Sequence, residues 1–181
     1  MSKKTELNRK LIDKVLVSFG VVATVVLFAM GGLAWWTYSF TSSNVKTELS
    51  AQKIYFPPKG SPALASPLIG PYLNRYAGQQ LLTGPQAKAY ANHFIAVHLS
   101  EIAGGKTYAQ VSTESQADPS NAQLKQEAST LFQGETLRGL LLGDAYAFST
   151  VGTIAQVVAY ALFIGGVIML FLVFIGLTRI I

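Results

Sequence analysis

The chain has 181 residues, half of them hydrophobic, and only 13% are charged, about half the share usual in a soluble domain. Its net charge of +5 gathers mostly at the N-terminal flank, so the remainder offers no basic face to nucleic acid. Cysteine is absent, which excludes disulfides, thiolate catalysis, thiolate metal sites and cysteine lipidation.

No charge lies between Lys14 and Lys46, and none between Asp144 and Arg179. Each run exceeds the roughly 20 apolar residues that cross a hydrocarbon core. The pattern predicts a mainly α membrane protein: transmembrane helices over residues 16–38 and 154–177, flanking a small extracytoplasmic helical domain over 39–153 that carries a Pro-rich extended strap. The flank 1–15 holds Lys3, Lys4, Arg9, Lys10 and Lys14, whereas the tail 178–181 holds Arg179 alone. A dense basic cluster before the first span stays cytoplasmic while a long middle segment crosses largely regardless of charge. Both termini are therefore expected in the cytoplasm and the centre outside, in the plasma (inner) membrane.

A cleavable signal is the alternative for the first span, with GLA at 32–34 as the small-residue site. Signal cores run about 7–15 residues, and this one continues from Val15 through Ala34 into Trp35, Trp36 and Tyr38, the rings that membrane interfaces collect. The sequence reads as an uncleaved anchor. Gly31 and Gly32 in the first span and Gly165 and Gly166 in the second fall at similar depth when the spans run antiparallel. Small residues permit close helix approach in lipid, so these four are the packing candidates.

Residues 46–56 either prolong the first helix or end in a short extended piece at KIYF. Five prolines follow, at 57, 58, 62, 67 and 71. They remove backbone donors and keep preceding residues out of the helical region, which is why 57–73 is expected as an extended strap.

Helical pattern returns in TGPQAKAYANHFIAVHLSEIAGG. Thr83 or Gly84 caps, Pro85 sits in the first turn and Gly104 ends a helix over 85–103. Ala91, Phe94, Ile95, His98 and Ile102 form its apolar stripe. The two histidines, His93 and His98, stand about 140° apart around a regular helix and do not converge on one ion. His98 with Glu101 gives two ligands, short of the three of a usual catalytic zinc or iron centre. No metal and no cofactor are expected.

After GGKTYAQVSTESQA, Asp118-Pro119 marks the start of another helix, with Leu124, Ala128, Leu131 and Phe132 on its buried side. It runs toward the second span, with Gly134, Gly139 and Gly143 as places to bend. Glu135 and Arg138 form an i,i+3 pair, read first as a surface pair and second as a docking pair. Thr24, Gln156 and Tyr160, the main polar side chains in or near the spans, are expected to bond a neighbouring helix.

The stretches AKAYANHFIAVHLSEIAGGKTYAQVS and TLFQGETLRGLLLGDAYAF, followed by a glycine-containing span, resemble a group of small, uncharacterised actinobacterial two-span membrane proteins. The resemblance covers about residues 50–181, with GGKTYA and GETLRGLLL its most specific pieces. It implies the two-span architecture and an envelope setting. Some members carry the label aromatic ring-opening dioxygenase; such enzymes need an iron site of histidines and a carboxylate, which the histidine spacing here denies.

No G-x-S-x-G, Walker loop, G-x-G-x-x-G or paired-carboxylate pattern occurs. The expected function is that of a non-catalytic membrane protein of the cell envelope, an accessory or interaction subunit that meets the lipid bilayer and either a membrane-protein partner or its own copies. Tyr90, Tyr108, Glu135 and Arg138 are its candidate contact residues. A homo-oligomeric two-span channel is the alternative, and a membrane-anchored enzyme the third reading. Because cysteine is absent, Ser2→Cys, Ser115→Cys and Ile181→Cys report threading without background. An impermeant thiol reagent on intact cells is expected to label only Ser115→Cys; labelling of the end positions alone reverses the orientation.

Overall fold

The structure, a computed structural model, describes the backbone of residues 3–180 and the side chains of residues 9–180, so Lys3 and Lys4 of the orientation argument lie outside the described side chains. Among the described residues it is mostly helical, with no strand and one isolated antiparallel bridge between Tyr55 and Gln80. The helices are α1 (Lys3–Gln52), α2 (Gly70–Leu73), α3 (Gly84–Tyr90), α4 (Ala96–Ile102), α5 (Tyr108–Ala117), α6 (Ala122–Leu140) and α7 (Phe148–Ile180). A π turn at Ala91–Ile95 joins α3 to α4, and another at Leu141–Ala147 joins α6 to α7, so residues 122–180 wind as one helix. The chain divides into two compact units, Met1–Phe40 with Gly152–Ile181, and Thr41–Val151.

In the first unit the two helices are long and apolar enough to cross a membrane. Only 11% and 17% of the residues in their most apolar stretches are buried, whereas the core helix of a soluble fold is mostly buried. The less exposed positions recur in steps of three and four: Val17, Gly20, Thr24, Leu27, Gly31, Ala34 and Tyr38 on one helix, and Gly152, Ala155, Ala159, Leu162, Gly166, Met169, Val173 and Gly176 on the other. This is the heptad seam of an antiparallel coiled-coil pair, rich in the small residues that permit close helix approach.

The glycines do not meet glycines. A Cβ on Gly31 would stand 2.8 Å from the Phe163 ring, and one on Gly166 would stand 3.1 Å from the Phe28 ring. The two rings lie 6.3 Å apart, each seated over the facing helix's glycine. Gly20 takes Val173 and Gly176 takes Val17 in the same way, at 2.7 and 2.6 Å from where a Cβ would lie. Gly32 has nothing within 4 Å and Gly165 meets only Leu27 at 3.9 Å, so these two stand off the seam. Thr24 bonds the Gly20 carbonyl of its own helix at 2.7 Å rather than a neighbouring helix. Tyr160 meets the facing helix by an edge-on ring contact, 5.8 Å from Trp35, rather than by the polar bond expected of it.

The second unit is held without a disulfide. Helix α1 continues to Gln52, ends where Lys53 turns left-handed (φ 53°), and gives its Ser50 carbonyl to the Gln80 amide at 2.9 Å. The extended piece after it is the Tyr55–Gln80 bridge. The proline segment is not extended. Pro62–Leu64 is a 3-10 turn capped by Ser61, Pro71 starts α2, and Asn74–Tyr76 is a second 3-10 turn. Proline's fixed φ suits a first helical turn as well as it suits a strand, and burial of Leu64, Ile69 and Leu73 decides for the compact form.

Thr83 caps α3 in a reciprocal box with Gln86. The buried Gln86 amide accepts from the Leu82 and Thr83 N–H groups at 2.8 and 3.1 Å and donates to Gln79 at 3.2 Å, so it is fully engaged. Gly104 and Gly105 take positive φ beyond α4. The buried stripe differs from the one expected: it is Ala87, Ala91, Ile95, Leu99 and Ala103, with Phe94 and His98 half-buried and Ile102 exposed. Four steps of four residues drift about 160° on a regular helix, and the extra residue of the π turn returns about 100° of it.

Helix α5 is the element the sequence reading lacked, capped by a Thr107–Gln110 box. Helix α6 starts at Ala122 behind Asn121, not at Asp118-Pro119, because Asp118 accepts from Ser120 and closes a turn instead. Only Leu131 of the expected α6 face is fully buried, and Phe132 is exposed. Gly134 is a seat for Leu99, whose Cδ1 would lie 2.8 Å from an added Cβ, and the irregularity falls at Gly143 inside the π turn.

The seam generates a mutational expectation. Gly166→Leu or Gly31→Leu overpacks an occupied position and costs about 1–3 kcal/mol, seen as a lower Tm of the detergent-solubilised protein. Gly32→Leu and Gly165→Leu, off the seam, leave the Tm within error.

Candidate docking groove

Between residues 44–52 of α1 and the stretch from Leu137 to Ala145 lies a groove of about 310 Å³. Its floor is the buried set Val45, Leu49, Leu141 and Ala145, and its walls are the exposed Leu137 and Leu140. Steps of four carry α1 from Thr41 through Val45 to Leu49 on the buried side, which leaves Asn44, Glu48 and Gln52 exposed along the groove. Asp144 enters from the other side, placed by the π turn. A second depression of about 420 Å³ shares Asn44 and Asp144 and continues past Phe148 to Val151.

The groove's charges are both negative, Glu48 and Asp144, and no basic residue lines it. Neither carboxylate is paired: the ion pairs among the described residues are Lys106–Glu114 and Glu135–Arg138. An apolar trough with uncompensated carboxylates is suited to an apolar group that carries a cation.

The residues singled out from sequence scatter. Tyr90 is half-buried against Phe56 and Phe94, and desolvation pushes its phenol above the ordinary tyrosine range; it belongs to the core margin, not to a contact surface. Tyr108 remains at the surface, its ring 5.7 Å from that of the exposed Phe132. Arg138 bonds Glu135 at 3.0 Å and also reaches Asn92 at 3.5 Å, tying α6 to the first π turn while its Nε is buried without a partner. The pair is thus partly a clamp between helices.

His93 stacks on Tyr72 with ring centres 3.5 Å apart, whereas His98 donates from Nδ1 to the Phe94 carbonyl at 2.7 Å. Among the described residues no three histidine or carboxylate side chains gather into a metal-sized group. Sequence reasoning missed the groove because Glu48 and Asp144 are nearly a hundred residues apart. Asp144 was visible only as the last charge before the second apolar run.

No protein-family model, curated protein or solved structure matches the chain.

The clamp makes a stability prediction. Arg138→Ala removes the α6 to Asn92 contact and is expected to cost about 1–2 kcal/mol, whereas Glu135→Gln, losing only an exposed pair, costs less than about 0.5 kcal/mol. Thermal melts of the two variants rank them, and equal losses contradict the clamp.

Proposed function

We propose that this protein is a non-catalytic integral membrane protein of the cell envelope, an accessory subunit whose groove receives an amphipathic helix of a partner membrane protein. The observation that carries the reading is the unpaired Glu48 and Asp144 on an otherwise apolar trough. A partner helix would lay leucine-like side chains on Val45, Leu49 and Leu141 and set a lysine or arginine against the two carboxylates, the helix-in-groove mode of recognition. Two helices with the length and apolarity to span a bilayer support the membrane setting. The outer unit, on this reading, lies outside the cytoplasm.

The alternative channel draws no support from the seam of one chain, where phenylalanine rings fill the glycine positions. Several copies would have to surround water instead.

A photo-crosslinking residue at Leu140 in native membranes is expected to link one membrane protein through an apolar peptide containing lysine or arginine. The same residue at Phe132, exposed but outside the groove, gives no such adduct. Glu48→Arg with Asp144→Arg is expected to cut the Leu140 adduct at least about tenfold, as like charges replace opposite ones. An adduct indifferent to that reversal sinks the reading. Purified protein in liposomes is expected to pass no ions, and reproducible conductance puts the channel in its place.

A further inference from the structure

A further cleft of about 360 Å³ opens within the Thr41–Val151 unit, and it shares no residue with the docking groove. Arg75 enters it from the 3-10 turn after α2, Lys88 from α3, His93 from the first π turn and Tyr146 from the second. Tyr72 of α2 completes the polar lining, and no carboxylate contributes.

Each of these groups is held in place by a neighbour that is not its counter-ion. Lys88 Nζ donates to the Tyr146 hydroxyl at 3.1 Å and lies 4.5 Å from the centre of that ring. The guanidinium of Arg75 sits 4.8 Å over the Tyr76 ring. His93 lies flat on Tyr72, the ring planes 5° apart. Neither Arg75 nor Lys88 belongs to an ion pair among the described residues. Five elements, from segments 72–75, 88–93 and 146, thus bring two uncompensated cations, an imidazole and two phenols to one concave surface. Cations gathered this way repel one another, a cost that an anion removes.

We propose that this cleft binds a phosphomonoester group, held by Arg75 and Lys88 as charged donors and by His93, Tyr72 and Tyr146 as neutral ones. Charge matching selects the class. Desolvation keeps His93 below the ordinary histidine range, so the cleft carries two full positive charges near neutral pH, and a phosphomonoester carries about −1.5 to −2 there. A phosphodiester leaves one cation unmatched. The hydrogen bond and charge of Lys88 draw the Tyr146 phenol below its usual range, the direction in which an ammonium acts on an oxygen beside it. Arg75 adds the forked geometry suited to phosphate oxygens.

The same group occurs on soluble phosphate esters and on lipid headgroups, and the test separates them. Full-length protein in phosphatidylcholine nanodiscs is titrated calorimetrically with inorganic phosphate and with hexyl phosphate. In parallel, its Tm is compared between plain nanodiscs and nanodiscs doped with phosphatidic acid. Saturable binding of the soluble probes, weakened about tenfold by Arg75→Gln and by Lys88→Gln, assigns a soluble phosphoester. A Tm rise with phosphatidic acid alone, lost in the same variants, assigns the lipid headgroup. Lys88→Arg is expected to keep affinity within about threefold, since charge and donors remain. Lys59→Gln, an exposed lysine outside the cleft, changes nothing. The proposal is overturned if no probe produces a response, or if binding survives the Arg75→Gln/Lys88→Gln pair. Either result leaves the groove reading standing.

Discussion

The Thr41–Val151 unit depends on one aromatic junction. Phe56, almost fully buried, lies edge-on to Tyr90 at 5.4 Å and tilted on Tyr76 at 5.2 Å, and its backbone N–H bonds the Gln79 carbonyl at 2.9 Å. It sits just past the end of α1, so one side chain ties that helix to the proline segment and to α3. With no cysteine to staple 111 residues together, burial must supply the stability that a disulfide gives other small domains. Leu73, Leu81, Leu131 and Val111, all fully enclosed, extend the same core. The groove and the cleft both stand on it: Val45 and Leu49 under the first, Leu73 and Ala89 beside the second.

The π turn at Leu141–Ala147 serves both concave surfaces. It aims Asp144 into the groove and Tyr146, two residues on, into the cleft. Two steps of about 80° each, the rotation in a turn of this kind, place these side chains on nearly opposite faces of the helix. An acidic apolar surface and a basic polar one are thereby kept apart by the width of one helix. Opposite charges at close range would otherwise have satisfied each other, leaving neither free for a ligand. The sequence GDAYA, read without the fold, gives no hint that its two polar residues face different partners.

What could be read from the sequence followed how local its cause was. The cap at Thr83 or Gly84 and the glycine stop at Gly104 depend on neighbours within a few positions, and they were legible, whereas residues 46–56 left a longer helix and an extended piece both open. The start of α5 was equally local, in Thr107 and Gln110, but it lies in a polar stretch without an apolar stripe to draw attention to it. The seam was legible in principle: Gly152, Ala159, Gly166 and Val173 recur every seven residues, a period more informative than the adjacency of Gly165 and Gly166. The proline segment misled because proline's stereochemistry permits both an extended run and a first turn, and only the burial of Leu64 and Leu73 chooses. Of the two concave surfaces nothing was legible, since their polar residues come from segments that meet only in the folded chain.

The π turn at Ala91–Ile95 also bears on how this chain tolerates change in length. Such a turn holds one residue more than a regular helix winds into the same space. Excising one residue there converts the buried spacing from steps of four throughout into four, three, four, four, the rhythm an unbroken α-helix prefers. Leu99 keeps its seat over Gly134 and Ala103 its place in the core. A one-residue excision within regular α6 has no such reserve, and turns every side chain beyond it by about 100°. A one-residue shortening of this chain is therefore absorbed best within these five residues, and its cost falls on the side chain they display, His93 on its tyrosine, rather than on the architecture.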